Sequence, residues 1–158
     1  MFFTLMAKEM YITKSILINK NTTEIYNFLK YSKNQDTFSI WSMADTQKTI
    51  TEFGIDGTVG HIYSWSSKNN KVGAGSQEIV NLVDEALISY KIKFERPMKN
   101  TAQTRFIIKK ETPQQTTVTW EFQGLTKFPM CLFQGFFQKM LGKDIEQSLI
   151  NLKNILEQ

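Results

Sequence analysis

Residues 130–158 read MCLFQGFFQKMLGKDIEQSLINLKNILEQ, and their apolar positions recur every three or four residues. This spacing places apolar side chains along one face of a helix. The positions are Phe133, Phe136, Phe137, Met140, Leu141, Ile145, Leu149, Leu152 and Leu156. The stretch therefore predicts one long amphipathic helix.

The residues before this helix alternate between apolar and polar instead, most clearly over residues 87–94. Period-two alternation with turn residues between the runs is typical of antiparallel strands, and it extends over residues 58–124. One long helix and one sheet bury each other when the helix lies across a curved sheet, and this arrangement leaves room for a cavity. We therefore predict a cup that binds a small molecule.

The N-terminal part predicts a strand and two short helices. Residues 10–18 alternate as a strand, and Asn21-Thr22-Thr23-Glu24 has the form of a capping box, in which Asn21 caps the helix and Glu24 reaches back. A weaker helical turn covers residues 34–40 and ends near Trp41. Six further strands are predicted at residues 47–53, 58–66, 72–83, 87–94, 101–110 and 116–123, followed by a loop at 125–129 in which Pro129 precedes the helix.

The composition is that of one globular domain. The chain has 158 residues, 41% of them hydrophobic and 22% charged, without an internal repeat or a linker. We predict a single domain over residues 1–158 with its core at about residues 10–156. The aromatic content of 13%, with 12 Phe, fits an aromatic-lined cavity and a filled core equally well.

The basic charge does not predict nucleic-acid binding. The net charge is +4, but only Arg96 and Arg105 are arginines among the 19 basic residues, and the lysines are scattered. Arginine is the residue that recognises phosphates and bases in bidentate fashion. The lysines are therefore expected to form a solvated surface.

A single cysteine, Cys131, excludes an intrachain disulfide and a cysteine-based metal site, which favours a reducing cytosol. The apolar residues 1–6 lack a basic start and are too short for a signal peptide. No apolar run approaches the roughly 20 residues needed to span a bilayer. We expect a cytoplasmic protein that does not insert into a membrane.

Four segments together resemble a known family: GTVGHIYSW at 57–65, VGAGSQ at 72–77, TTVTWE at 116–121 and LGKDIEQSLINLK at 141–153. Their order and spacing resemble the polyketide cyclase/dehydrase branch of the SRPBCC superfamily, also called START-like or Bet v 1-like. The resemblance covers about residues 10–156.

The resemblance implies an α+β helix-grip fold, in which a seven-stranded antiparallel sheet curves around the C-terminal helix and two short helices close one end. Members of this superfamily bind lipids, sterols, polyketides or plant hormones between the helix and the sheet. Some are enzymes, but the family has no invariant catalytic set, so the resemblance assigns no catalytic residue here.

Three functions follow as hypotheses. We favour the binding of a hydrophobic small molecule, of lipid, polyketide or aromatic type, in a cavity between the C-terminal helix and the sheet, without a cofactor. The alternative is a cyclase, dehydratase or hydrolase that uses His61 with Tyr63 or Glu78 as acid–base groups in the same cavity. An interaction protein that uses the outer face of the sheet is a third hypothesis, which the lack of a large apolar patch there weakens.

The candidate ligand-binding residues are aromatic, with one histidine. His61 shares a strand face with Tyr63 and Trp65, so it serves as a polar anchor or a proton donor if that face is concave. The alternative is a histidine that is hydrogen-bonded near the strand end or turned to solvent by a bulge. A metal site is not expected, because one histidine without cysteine gives few ligands. The full set of cavity-lining candidates is Trp41, His61, Tyr63, Trp65, Tyr90, Trp120, Phe122, Phe133 and Phe137.

Overall fold

The computed structural model describes residues 7–127 and 130–158, and this part of the chain contains seven strands. They are β1 Lys8–Ile18, β2 Thr49–Phe53, β3 Ile62–Ser66, β4 Ala74–Val83, β5 Leu87–Arg96, β6 Asn100–Thr112 and β7 Gln115–Thr126. They form one antiparallel sheet in the order β1-β7-β6-β5-β4-β3-β2. Each strand from β2 to β6 is paired with the next in the chain, and β1 pairs with β7.

The helices lie before and after the run of six strands. α1 Thr22–Leu29, a 3-10 helix Ser32–Thr37 and α2 Ile40–Met43 follow β1, and a 3-10 helix Met130–Phe133 leads into α3 Gln134–Leu156. The predicted helix-grip fold is confirmed, with the second short helix divided into two pieces. No helix in the described ranges is both long enough and apolar enough to cross a membrane.

α3 packs beside the edge strand β1 and buries the predicted apolar face only in its C-terminal part, whereas Phe136 and Met140 of that face are 68% and 41% exposed. Ile145, Leu149 and Leu152 are each at most 1% exposed, which matches the predicted helical periodicity. Side chains on the same helix also donate to β1 carbonyls, and Gln138 Nε2 lies 3.1 Å from the Tyr11 carbonyl oxygen. These bonds satisfy carbonyl groups that an edge strand otherwise leaves unpaired.

The N-terminal cap of α1 forms as predicted, but only from one side. The Asn21 side chain accepts a hydrogen bond from the Glu24 backbone N–H at 2.8 Å. The reciprocal bond from the Glu24 side chain is absent among the hydrogen bonds of the described residues. Its carboxylate lies instead 3.6 Å from Lys20 Nζ, in an exposed ion pair.

β3 is shorter than predicted, because a turn occupies the first residues of the predicted strand 58–66. Gly57 and Gly60 have φ angles of +82° and +96°, and the His61 backbone N–H donates to the Thr58 carbonyl. Such φ values suit glycine and interrupt an extended strand. The alternation expected from residue 58 onward therefore begins only at Ile62.

β7 is longer than predicted, since it continues to Thr126 and pairs there with Lys8 of β1. The predicted loop at 125–129 is therefore shortened at its start. Phe128 and Pro129, and with them the predicted start of the helix, lie outside the described residues.

Candidate functional site

A cavity of about 400 Å³ lies between the concave face of the sheet and the segment of residues 32–48. β3 to β7 all contribute side chains to it, whereas α3 contributes only Leu141 among the described residues. The long helix packs along β1 and so lies to one side of the cavity. The helical segment after β1 therefore forms most of the roof that we predicted for α3.

Aromatic rings form two parts of the cavity wall. Trp41 packs edge-to-face on Trp120 and Phe122, with ring centroids 5.7 Å and 6.0 Å apart. Trp65 packs in the same manner on Phe94 at 6.2 Å. Edge-to-face pairs hold rings in defined orientations. The wall is therefore preformed rather than assembled by a ligand.

The chain's three tryptophans all line this cavity, and each indole N–H is satisfied within the protein. The bonds join Trp41 Nε1 to Asp144 Oδ2 at 3.1 Å, Trp65 Nε1 to the Val72 carbonyl at 3.2 Å, and Trp120 Nε1 to Thr104 Oγ1 at 2.7 Å. Because these donors are already paired, the tryptophans offer a ligand apolar surface and no unsatisfied hydrogen bond.

An ion pair that includes one buried lysine lies beside the same wall. Lys48, whose side chain is 8% exposed, places Nζ 3.1 Å from Asp36 Oδ1 and also donates to the Ser42 carbonyl. The Tyr63 hydroxyl donates to Asp36 Oδ2 at 2.7 Å. Burial, with the hydrogen bond to Asp36 and its charge, raises the pKa of Tyr63, so this hydroxyl remains a donor at neutral pH. The lysine charge is therefore compensated.

Two polar side chains on the inner wall lack hydrogen-bond partners in the described part of the chain. Ser32 is 2% and Gln35 7% exposed, and neither Ser32 Oγ nor Gln35 Nε2 makes a hydrogen bond. The Tyr90 hydroxyl lies near both and donates to the Leu29 carbonyl at 3.3 Å. Burial raises the pKa of this tyrosine, and the nearby Gln35 and Ser32 side chains oppose that rise. Unsatisfied buried polar atoms are rare in native proteins.

His61 lies in a separate cluster at the edge of the sheet. Its side chain is fully buried, with Nε2 3.1 Å from Glu52 Oε1 and Nδ1 3.4 Å from Asp56 Oδ1. These three residues bring potential metal-ligand atoms within 4.8 Å of one another. The Asp56 carboxylate, however, is engaged by backbone N–H groups of Ser32, Lys33 and Gly57. The cluster thus fixes the turn before β3 and the start of the 3-10 helix.

The structure brings five of the nine predicted site residues together on the cavity wall. These are Trp41, Tyr63, Trp65, Trp120 and Phe122. Their common position follows from strand alternation on the concave face, which the sequence pattern predicts for β3 and β7. Trp41 of α2 joins them because its ring packs on Trp120 and Phe122.

The other four predicted residues lie away from the cavity. His61 belongs to the turn before β3, and Tyr90 is 1% exposed within the core beyond the wall. Phe133 is 60% exposed, and Phe137 packs on the exposed Phe136 at 5.7 Å. The buried residues of α3 begin at Gly142, and neither the Phe133 ring nor the Phe137 ring lines the cavity.

The polar residues of the site were missed at the level of sequence. Ser32, Gln35, Asp36 and Lys48 belong to segments whose polarity predicts exposure, and no local pattern contradicts this. A weak signal exists: Ser32, Gln35 and Ser39 are spaced as one face of a helical segment. Such spacing indicates burial only after the packing partner of that face is known.

Comparison with known proteins supports the fold. No family model and no curated protein sequence matches this chain. Among solved structures, norcoclaurine synthase from Thalictrum flavum, in complex with dopamine and hydroxybenzaldehyde, superposes with a TM-score of 0.68 at 8% identity, covering 97% of this chain and 92% of that one.

Two bacterial structures are similar to the same degree. The Aha1 protein of Colwellia psychrerythraea, a dimer in solution, has a TM-score of 0.63 at 15% identity over 93% of this chain and 96% of that one. A Mesorhizobium loti protein has a TM-score of 0.66 at 15% identity over the same shares. The chain therefore has the SRPBCC-type, Bet v 1-like helix-grip fold.

Proposed function

We propose that this protein binds a hydrophobic small molecule in the cavity between the sheet and residues 32–48. The observation that carries the proposal is the wall itself, where three tryptophans with satisfied N–H groups surround about 400 Å³. Ligand sites are commonly preformed cavities of about 300–1,000 Å³ with mostly apolar walls and a few polar groups. The rim of the cavity in this protein includes the exposed Ala44, Asn69 and Lys71, which give a ligand a path from solvent.

We further propose that the ligand is aromatic, of the polyketide type found in the family branch that the sequence resembles. Flat rings suit a wall of edge-to-face aromatic pairs, because each ligand face meets a ring edge or face. The norcoclaurine synthase neighbour, which holds dopamine and hydroxybenzaldehyde, supports an aromatic ligand for this fold. We also propose that the chain forms a single domain. We place it in the reducing cytosol, the compartment that suits a chain with one cysteine.

Binding fits the geometry better than the enzymatic alternative. That alternative requires His61 and Tyr63 or Glu78 as acid–base groups in one cavity, but neither His61 nor Glu78 lines it. Glu78 lies between the buried Gln77 and Ile79, so it faces the opposite side of the sheet. Tyr63, with its raised pKa, is held as a donor to Asp36 and does not act as a base.

A titration with the uncharged fluorescent probe N-phenyl-1-naphthylamine tests the proposal, since the three tryptophans on the wall transfer excitation to a bound probe. We expect one probe per chain. Ser42→Phe, which adds a ring at the cavity wall, should abolish binding. Ser89→Phe is the matched control outside this cavity and should retain binding. The proposal fails if wild type binds no probe, or if both variants behave alike while remaining folded by circular dichroism.

A further inference from the structure

The inner wall of the cavity carries a polar pair whose hydrogen-bonding capacity is unused. Gln35 Nε2 has two hydrogens to donate, and Ser32 Oγ both donates and accepts. Neither atom has a hydrogen-bond partner in the described part of the chain, and both residues are more than nine-tenths buried and line the cavity. They are three positions apart in the 3-10 helix Ser32–Thr37, so their side chains lie on the same side of it.

The charges around this pair are already balanced. The one buried cation among the described lining residues, Lys48, is bonded to Asp36, which also accepts from Tyr63. The remaining buried polar residues of the wall, Ser39, Gln77 and Thr104, are neutral. A ligand carboxylate placed here would meet the negative charge of Asp36 and no unpaired buried cation, at a large cost of desolvation.

We propose that Ser32 and Gln35 form a subsite for an uncharged ligand oxygen, a hydroxyl or a ketone, carried on an otherwise apolar aromatic skeleton. A hydroxyl accepts from Gln35 Nε2 and donates to Ser32 Oγ, and a ketone accepts from both. The rings of the ligand then lie against the tryptophans. This subsite rests on the proposed binding function and specifies the chemistry that the cavity selects.

A structural role for the pair predicts the opposite response to mutation. A side chain that stabilises the fold through hydrogen bonds loses stability when it is truncated, whereas removing an unsatisfied buried hydroxyl leaves stability unchanged or raises it. When residues that are kept for binding at the expense of stability are truncated, stability is therefore unchanged or raised. The thermal midpoint of Ser32→Ala without ligand therefore separates the two roles.

Calorimetric titrations with 2-naphthol, naphthalene and 2-naphthoate at neutral pH test the subsite. They use wild type, Ser32→Ala and Gln35→Leu, with Ser89→Ala and Gln103→Leu as matched controls away from this cavity. We expect wild type to prefer 2-naphthol to naphthalene, and each cavity variant to lose about fivefold in 2-naphthol affinity, the value of one hydrogen bond. Naphthalene affinity should stay within about twofold in every variant, and the midpoint of Ser32→Ala should be unchanged or raised.

The outcomes separate this inference from the proposed function. Equal affinity of wild type for naphthalene and 2-naphthol would overturn the subsite while leaving a hydrophobic binding cavity. So would tighter binding of 2-naphthoate, equal losses in the control variants, or a lowered midpoint in Ser32→Ala. Failure of all three probes to bind wild type would instead overturn the proposed function itself.

Discussion

Trp120 belongs to the core and to the cavity wall at once. It is 2% exposed, its ring centroid lies 4.7 Å from that of Phe106, and Phe38 and Trp41 pack on it at 6.1 Å and 5.7 Å. Its indole N–H donates to Thr104. The ring is thus supported on several sides and presents only its remaining surface to the cavity.

Trp120→Ala should therefore destabilise the protein by about 3–5 kcal/mol, the usual cost of truncating a packed aromatic ring. The loss has two sources, the packing of the ring and the hydrogen bond to Thr104 Oγ1. Urea unfolding followed by circular dichroism measures it. Trp65→Ala is the comparison: this half-buried ring has Phe94 as its aromatic partner and should cost about 1–2 kcal/mol. Equal losses would contradict the different packing of the two rings.

Single residues also explain how far the site can be predicted from the sequence. Trp120 and Phe122 alternate with polar neighbours in a clear strand, so period two is enough to place them inward. Ser32 and Gln35 are buried because segments distant in the sequence cover their helix, which no local pattern records. The inward aromatic positions of this strand were therefore predictable, whereas the polar positions were not.

Among the elements, those with a long uninterrupted period were predicted most accurately. The alternation in β5 and the helical repeat in α3 each continue over many residues, and their boundaries differ little from prediction. β3 was predicted four residues too early, because the turn before it carries Val59 and His61 in apparent alternation. His61 was placed in the cavity on that pattern, whereas the turn directs it toward Glu52 and Asp56.

Gly73 and Gly75, beside the start of β4, allow the backbone of the neighbouring strand β5 to approach closely beside the cavity. A Cβ on Gly75 would lie 2.5 Å from the Lys93 carbonyl oxygen and 2.7 Å from the Trp65 ring. A Cβ on Gly73, at φ +64°, would lie 2.1 Å from the Arg96 carbonyl oxygen. Close backbone approach accounts for both glycines.

Gly75→Ala should displace the Trp65 ring, because the neighbouring Lys93 carbonyl belongs to a paired strand and cannot move as freely. We expect weaker binding of the fluorescent probe, with a blue or red shift of tryptophan emission, and a loss of roughly 1–3 kcal/mol from overpacking. Gly135→Ala is the control, since no atom lies within 4 Å of its added Cβ. In that exposed helical position alanine should stabilise by about 0.5–1 kcal/mol. Equal effects of the two substitutions would contradict this account.

Across the whole molecule, lowered carboxyl pKa values occur where distant segments meet. Asp45 accepts from Ser67, Glu85 from Thr23 and Thr22, and Glu157 from Lys153 and the Asn19 backbone, and these hydrogen bonds lower the pKa of each carboxyl. Burial alone would raise the pKa of Glu121, but bonds from Arg105 and Tyr11 outweigh it and lower this pKa as well. These bonds connect β1, α1 and the end of α3 to other parts of the fold.

The protein should consequently lose stability in acid. A carboxyl whose pKa is lower in the folded state stabilises the fold above its unfolded pKa, ordinarily 4.5 for Glu and 3.8 for Asp, and this contribution disappears as pH falls through the lowered value. We expect the urea midpoint to stay level from neutral pH to about pH 5 and to fall steeply below it. Glu121→Gln should be less stable at neutral pH, because Arg105 and Tyr11 lose a charged acceptor, and its midpoint should fall less steeply in acid. The same acid slope in Glu121→Gln and wild type would show that this carboxyl contributes nothing to the acid sensitivity.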